Sequence, residues 1–225
     1  MSDVNEPLGE GLNGADWQRL VSVAADVIDE QVDELSRLDA VGGDGDHGVN
    51  VATAMKHTRS QITALDDPTP ADVFAATSSA FLDEMGGAAG ALFGSFFRAV
   101  SKSFTGHNSV DTAQLAEAIE AGTQIVLSRG KARPGDKTMI DALVPAAAAA
   151  RDAADTQVGV REALGLIASA ARDGASSTST MVASVGRARY AEDRTQGVQD
   201  PGATTVALLF EAWASAGDDH IRKEA

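Results

Sequence analysis

Residues 17–35 read Trp17-Gln-Arg-Leu20-Val21-Ser-Val-Ala24-Ala-Asp-Val27-Ile28-Asp-Glu-Gln-Val32-Asp-Glu-Leu35, with an apolar side chain at every third or fourth position and acids between. That spacing follows the 3.6-residue turn of an α-helix and not the two-residue alternation of a strand. It predicts one long amphipathic helix with a single buried stripe. The same spacing continues along the chain: Val51, Met55 and Ile62 mark a second helix after Gly48. A third opens at Thr69-Pro70-Ala71-Asp72, where a capping hydroxyl, a first-turn proline and an acid three residues past the cap coincide. Its stripe is Phe74, Thr77, Phe81, Leu82 and Met85, and Gly86-Gly87 end it. Leu92, Phe93, Phe96, Val100 and Phe104 carry a fourth helix, and Asp111 with Gln114 caps a fifth that runs to Gly130. Three more helical stretches are expected over 138–154, 160–187 and 204–216.

Eight helices and no sustained period-2 run rich in Val, Ile and Thr predict an all-α bundle or barrel. With 225 residues and 44% hydrophobic content the chain can bury one sizeable core. A single domain over 13–225 is expected, behind a polar, flexible segment over 1–12. Nothing near the N-terminus has the pattern of a signal peptide, and the longest nearly apolar run, 142–150, is too short to span a bilayer. A cytoplasmic protein that engages no membrane is expected.

Eighteen Lys and Arg against 33 Asp and Glu leave a net charge of −15, which disfavours nucleic acid as a partner. A small phosphate ligand escapes that argument when divalent cations cancel its charge locally. The absence of cysteine removes disulfides, thiolate zinc sites and thiol nucleophiles. His47, His57, His107 and His220 show no paired metal-ligand spacing.

The chemistry lies in the interruptions, 39–50, 86–90, 130–137 and 187–202, each dense in glycine and polar residues. Alternate connections of an antiparallel bundle fall at one end, so several of these segments can share it. In the first, Asp39-Ala-Val-Gly-Gly-Asp44-Gly-Asp46-His47-Gly48 puts three carboxylates within eight residues. Two like charges ~4 Å apart cost about 4 kcal/mol at an effective dielectric near 20. Three converging carboxylates therefore take up protons or splay apart, as in a solvated acidic turn, unless cations hold them, and the cation-bound reading is preferred. Hard oxygen ligands suit Mg²⁺, which completes its octahedron with waters and phosphate oxygens. A calcium-binding EF-hand is excluded, because its twelfth position would be Met55 or His57 where a bidentate Glu is required. His47 and Asn50 follow the acids at the mouth of a helix, where helix capping and phosphate contact are both open to them. The segment Gly130-Lys-Ala-Arg-Pro-Gly135-Asp136-Lys137-Thr138 imitates a Walker A loop, but Asp136 interrupts the motif and a helix precedes it.

Read together, these segments resemble the family of L subunits of dihydroxyacetone kinase, the nucleotide-binding half of that enzyme. The resemblance rests on Leu38-Asp39 with Gly43-Asp44-Gly-Asp46-His47-Gly48-Val-Asn50, and on Gly86-Gly87-Ala-Ala-Gly90-Ala-Leu-Phe93-Gly94. It continues through Ser128-Arg-Gly130-Lys131-Ala, Pro134-Gly135-Asp136-Lys137-Thr138-Met139, Gly186-Arg187-Ala-Arg-Tyr190 and Gln199-Asp200-Pro201-Gly202-Ala203-Thr204. It covers nearly the whole chain, with the motifs in the family's order.

The resemblance implies an eight-helix antiparallel barrel with ADP or ATP at one end. It implies two Mg²⁺ ions on Asp39, Asp44 and Asp46, with His47 and Asn50 at the phosphates and His47 and Arg187 in catalytic roles. Ala88 and Ala89 would approach the phosphates, Gly130 and Met139 would border the adenosine, and Arg187 would place its guanidinium near the phosphates. Asp200, Pro201 and Gly202 would close the pocket, while Lys131 and Lys137 shape their loop. Two positions depart from the family: Ala89 where many relatives have Ser, and Ala91 where Pro is frequent. Losing the hydroxyl removes one hydrogen bond, worth ~1 kcal/mol or more.

The implied partners are a separate K subunit, which holds the triose covalently on a histidine, and a phosphocarrier M subunit of the sugar phosphotransferase system. A homodimer is compatible. Fixed ADP recharged by the carrier is expected over exchangeable ATP, with dihydroxyacetone as acceptor and erythrulose as the alternative. Two rival readings are a regulatory protein that reports its nucleotide state and a kinase component serving an acyl-binding partner.

Overall fold

The computed structural model of the protein describes residues 11–218. A two-residue strand, β1 (Leu12–Asn13), leads into α1 (Gly14–Glu30), α2 (Val32–Asp39), α3 (His47–Thr63), α4 (Pro70–Glu84) and α5 (Gly87–Ser103). A second short strand, β2 (Ser109–Val110), precedes α6 (Thr112–Gly130), α7 (Ile140–Asp155), α8 (Val160–Ser177) and α9 (Pro201–Asp218). The two strands pair antiparallel, with Leu12 opposite Val110. Leu12 is thus buried and paired although the expected lead segment ran to residue 12, and residues 1–10 lie outside the described residues.

Helices α3 to α9 each pack on their neighbour in sequence, and α1 closes the ring against both α9 and α3. The ring therefore has eight members. The stripe over residues 17–35 forms two helices rather than one, with α1 in the ring and α2 outside it against α3 and α9. The break is at Gln31, whose N–H turns back to the Ile28 carbonyl. It lets α2 lie across the start of α3, so close that a Cβ on Gly48 would sit 2.1 Å from the Val32 carbonyl oxygen.

All seven phenylalanines and both tryptophans are buried in the ring. Trp17 meets Phe74 edge-on at 4.9 Å and Trp213 at 5.4 Å, the geometry that aromatic quadrupoles favour. The axis is filled: among the described residues it leaves a void of about 10 Å³ between residues such as Phe93, Phe97 and Trp213. That is room for one water at most. Among the described residues no helix is long and apolar enough to cross a membrane.

Capping boxes close α1 (Asn13 with Asp16), α4 (Thr69 with Asp72) and α6 (Asp111 with Gln114), all at the end where β1 and β2 pair. At the opposite end α3 and α5 begin with no side-chain cap bond, which leaves first-turn N–H groups available to a ligand. Helix α5 begins at Gly87, so Ala88 and Ala89 belong to its first turn rather than to a loop.

Helix α8 stops at Ser177, ten residues short of the expected end at 187. Its last residue and the 3₁₀ turn that follows, Thr178–Thr180, carry hydroxyls that fold back on the backbone: Ser177 to the Gly174 carbonyl, Thr178 to Ala175, Ser179 to Ser176 and Thr180 to Ser177. Such local bonds compete with helix propagation. The chain beyond them becomes a strap, residues 181–200, with a 3₁₀ segment at Ala188–Thr195.

Candidate active site

The turns α2–α3, α4–α5, α6–α7 and α8–α9 share one end of the ring and enclose a cleft of about 880 Å³, within the usual size of small-ligand sites. Every residue expected there lines it: Asp39, Asp44, Asp46, His47, Asn50, Ala88, Ala89, Gly130, Met139, Arg187, Asp200, Pro201 and Gly202.

The acidic loop is built around Asp39. Its carbonyl accepts the Gly43 N–H at 2.6 Å and its Oδ2 accepts the Gly45 N–H at 2.9 Å. Gly45 adopts φ +76°, which favours glycine, and a Cβ on Gly43 would lie 2.3 Å from Asp39 Oδ1. The folded loop brings one carboxylate oxygen each of Asp39, Asp44 and Asp46 within 4.8 Å of one another. Three hard oxygen donors so placed fit a divalent cation such as Mg²⁺.

Arg187 reaches this cluster from the strap. Its Nη1 donates to Asp44 Oδ2, and Nη2 lies 4.0 Å from Asp46 Oδ1. The hydrogen bond from Arg187 holds the Asp44 carboxyl below the usual range and raises the guanidinium in turn. The strap also touches the acidic loop at Gly42, where a Cβ would come within 2.7 Å of the Ala188 side chain.

His47 is buried, and loss of hydration pushes its imidazole down to about 4, against the opposing pull of the Asp39 charge. It is therefore neutral at pH 7. Its Nε2 lies 2.9 Å from Thr205 Oγ1, and the Thr205 hydroxyl donates to the Pro201 carbonyl. The hydroxyl proton being used, Thr205 accepts from Nε2–H, and the other ring nitrogen carries a lone pair. Thr205 is a residue that sequence reasoning missed; the only hint was a pair of hydroxyls, Thr204-Thr205, inside an otherwise apolar run.

The rest of the cleft separates by polarity. Leu92, Phe93, Val126, Met139 and Ile140 supply an apolar wall, of which only Met139 was expected. Lys137 is buried and donates to the Thr178 and Val198 carbonyls, a loop-shaping role in keeping with the rejection of a P-loop. Asp200 caps α9 through the Ala203 N–H at 2.7 Å, and burial raises its carboxyl to about 7 despite that bond and the nearby Lys137 charge.

The chain matches the DAK2 domain family over residues 41–215. It is 35% identical over 194 residues to the ADP-binding subunit DhaL of the PEP-dependent dihydroxyacetone kinase of Escherichia coli, covering 86% of this chain and 92% of that one. It is 38% identical over 184 residues to an L-erythrulose 1-kinase of Mycolicibacterium smegmatis, covering 80% of this chain but 31% of that protein. Its fold superposes with a TM-score of 0.70 and 27% identity on the dihydroxyacetone kinase of C. freundii, a structure in complex with AMP-PNP and Mg²⁺; the match covers 96% of this chain and 36% of that one. With the motifs in order and the carboxylates converged at one end of an eight-helix ring, the chain belongs to the DAK2 domain family and is similar over nearly its whole length to the ADP-binding L subunits of dihydroxyacetone kinases.

Proposed function

We propose that this chain is the nucleotide-holding subunit of a ketose kinase and passes a phosphoryl group to dihydroxyacetone, or a similar short ketose, held covalently on a histidine of a separate K subunit. The observation that carries this reading is the convergence on one cleft of three carboxylates, one arginine and two helix N-termini without side-chain caps.

Asp39, Asp44 and Asp46 would hold Mg²⁺, two ions in the fullest version of this reading, and bound there the metal supplies charge compensation for a diphosphate. The first-turn N–H groups of α3 and α5 offer phosphate oxygens donors at the positive ends of two helices. Ala88 and Ala89 are small enough to admit that approach, and Asn50 adds an amide. Neutral His47 is held in one orientation by Thr205 and keeps a defined lone pair at the cleft wall. The apolar wall, with Gly130 and Met139, suits a nucleobase, and Asp200-Pro201-Gly202 closes the pocket beside Met139. Arg187 is a planar donor beside the phosphate position and would offset charge on the transferring group. No side chain of this subunit needs to act as a nucleophile. The K partner supplies the acceptor hydroxyl and the line of attack.

We assign ADP as a fixed cofactor recharged by a phosphocarrier protein, in line with the PEP-dependent relative. ATP exchange is the alternative for the donor, and erythrulose is the alternative acceptor, in line with the mycobacterial L-erythrulose 1-kinase. Denaturing the purified protein and identifying the released nucleotide, then supplying ATP or the phosphocarrier in the presence of the K subunit, separates the two. Retained ADP without ATP-dependent turnover is the expected result. Asp44→Ala should lose both nucleotide retention and triose phosphorylation, and full activity in that variant would overturn the site.

A further inference from the structure

Among the described residues Lys137 is the only lysine or arginine that is buried, at 5% exposed. It sits at the wall of the cleft with φ +61°, a left-handed backbone that a lysine adopts at a cost. The turn around it is fixed on several sides. Asp136 N–H bonds to the Arg133 carbonyl at 3.0 Å, and Asp136 Oδ2 accepts the Arg133 N–H at 2.7 Å. Its Oδ1 accepts the Ser184 hydroxyl of the strap at 2.6 Å. From the other side Asp141 accepts the N–H groups of Gly135 and Thr138. So constrained, the turn sends the lysine stem inward, where the ammonium meets the carbonyls of Thr178 and Val198.

Those two carbonyls belong to different parts of the site. Thr178 is the C-cap of α8, and its hydroxyl accepts the Asp200 N–H at 2.8 Å. Val198 lies on the strap two residues before Asp200, the cap of α9. Burial holds the Lys137 ammonium below its ordinary value, against the smaller opposing pull of Asp200 and Asp141, and the geometry compensates by giving it two carbonyl acceptors. Two of the three ammonium protons are thus spent on main-chain oxygens.

We infer that Lys137 is a positioning residue of the nucleotide site, a charged cross-tie that joins the 130–139 turn, the end of α8 and the start of α9 into one preformed wall. The inference rests on the nucleotide reading above. It assigns the lysine a task other than touching phosphate, which the Walker-like spacing would suggest. The wall it fixes includes the contact of Met139 with Gly202, where a Cβ on the glycine would lie 3.4 Å from Met139 Cβ. Loosening it should therefore act on the nucleoside end of the ligand and not on the acidic loop.

The test is Lys137→Met, with ADP and AMP titrated in the presence of Mg²⁺ at a temperature where circular dichroism shows full helix content. Affinity for both should fall by the same factor, about tenfold or more, the scale of one or two charge-assisted hydrogen bonds. Hydrogen exchange should accelerate at 178–181 and 198–202 while 39–46 is unchanged. Unchanged ADP affinity overturns the inference. A loss seen with ADP and not with AMP also overturns it, because it would make Lys137 a ligand of the terminal phosphate. Should the variant fail to fold, Ser184→Ala loosens the same turn from the exposed side, and a several-fold weaker affinity for both nucleotides is expected; no change there overturns the inference as well. If the unaltered protein binds neither nucleotide, it is the functional reading that fails.

Discussion

The Arg187 guanidinium donates to the Asp44 carboxylate across 143 positions of sequence and so ties the strap to the acidic loop. Both side chains are more than half exposed. An exposed pair of this kind is weak, and it yields readily to a better cation. On the proposed reading, in which Asp44 holds Mg²⁺, the ion and Arg187 would compete for one carboxylate, whereas phosphate oxygens would attract both.

Arg187→Ala should therefore move two affinities in opposite directions. Removing the competing cation should tighten binding of Mg²⁺ alone several-fold, while binding of ADP with Mg²⁺ weakens. Turnover with the partner subunit should fall by about 10²–10³, the usual range for a lost charge-stabilising donor. Calorimetric titrations of metal alone and metal with ADP read the two signs directly. Two changes in the same direction would show that Arg187 and the metal do not share Asp44.

Gly43→Ala tests whether the acidic loop must fold tightly. The added Cβ would meet Asp39 Oδ1 at 2.3 Å, so either the carboxylate or the loop must shift. Metal-dependent ADP affinity should drop at least tenfold with helix content unchanged, since a ligand displaced by ~1 Å no longer completes a metal site. Wild-type affinity in this variant would mean that Asp39 is not held for a ligand.

Much of this end of the molecule was legible because its residues are costly without a ligand. Three acids in eight positions, glycines between them and repeated polar interruptions at helical spacing have few cheap explanations. Helix identities followed from the apolar stripe, and two of the three capping boxes were readable from Thr69 with Asp72 and Asp111 with Gln114. What escaped has physical causes. The break at Gln31 has no proline or glycine to mark it, because the close approach of α2 to Gly48 decides it. The early end of α8 depends on hydroxyls bonding locally, although each of those residues is tolerated in a helix. Thr205 and the apolar wall were invisible because their meaning arises from partners far away in sequence.

Gly165→Ala is the complementary case, a glycine with no structural duty. It lies exposed within α8, has an ordinary helical φ, and an added Cβ would meet nothing within 4 Å. Alanine there should stabilise the protein by about 0.5–1 kcal/mol. For a chain of this size that corresponds to a rise in Tm of roughly 1–4 °C. A thermal melt with nucleotide affinity measured alongside checks it; a fall in Tm would mean that α8 meets a neighbour there.

Asp200 supplies a pH dependence of definite sign. Burial raises its carboxyl to about 7, from an ordinary value near ~3.9, so the folded chain holds a proton that the unfolded chain has released. Below about pH 4 both states are protonated and the stabilising effect is complete. Between about 4 and 7 the folded state binds more protons than the unfolded state, so stability falls as pH rises, and above about 7 the dependence levels off. Asp200→Asn keeps an acceptor for the Ala203 N–H but cannot ionise. Subtracting its stability from that of the wild type in metal-free urea titrations should leave a curve that declines over this window, by up to about 4 kcal/mol in total. Other groups common to both proteins cancel in the difference, including His47, whose depressed value acts in the opposite sense at low pH. A flat difference curve would show that Asp200 titrates alike in the folded and unfolded chain, the Lys137 charge offsetting burial, and a rising one that the charge is the favoured state of the folded site.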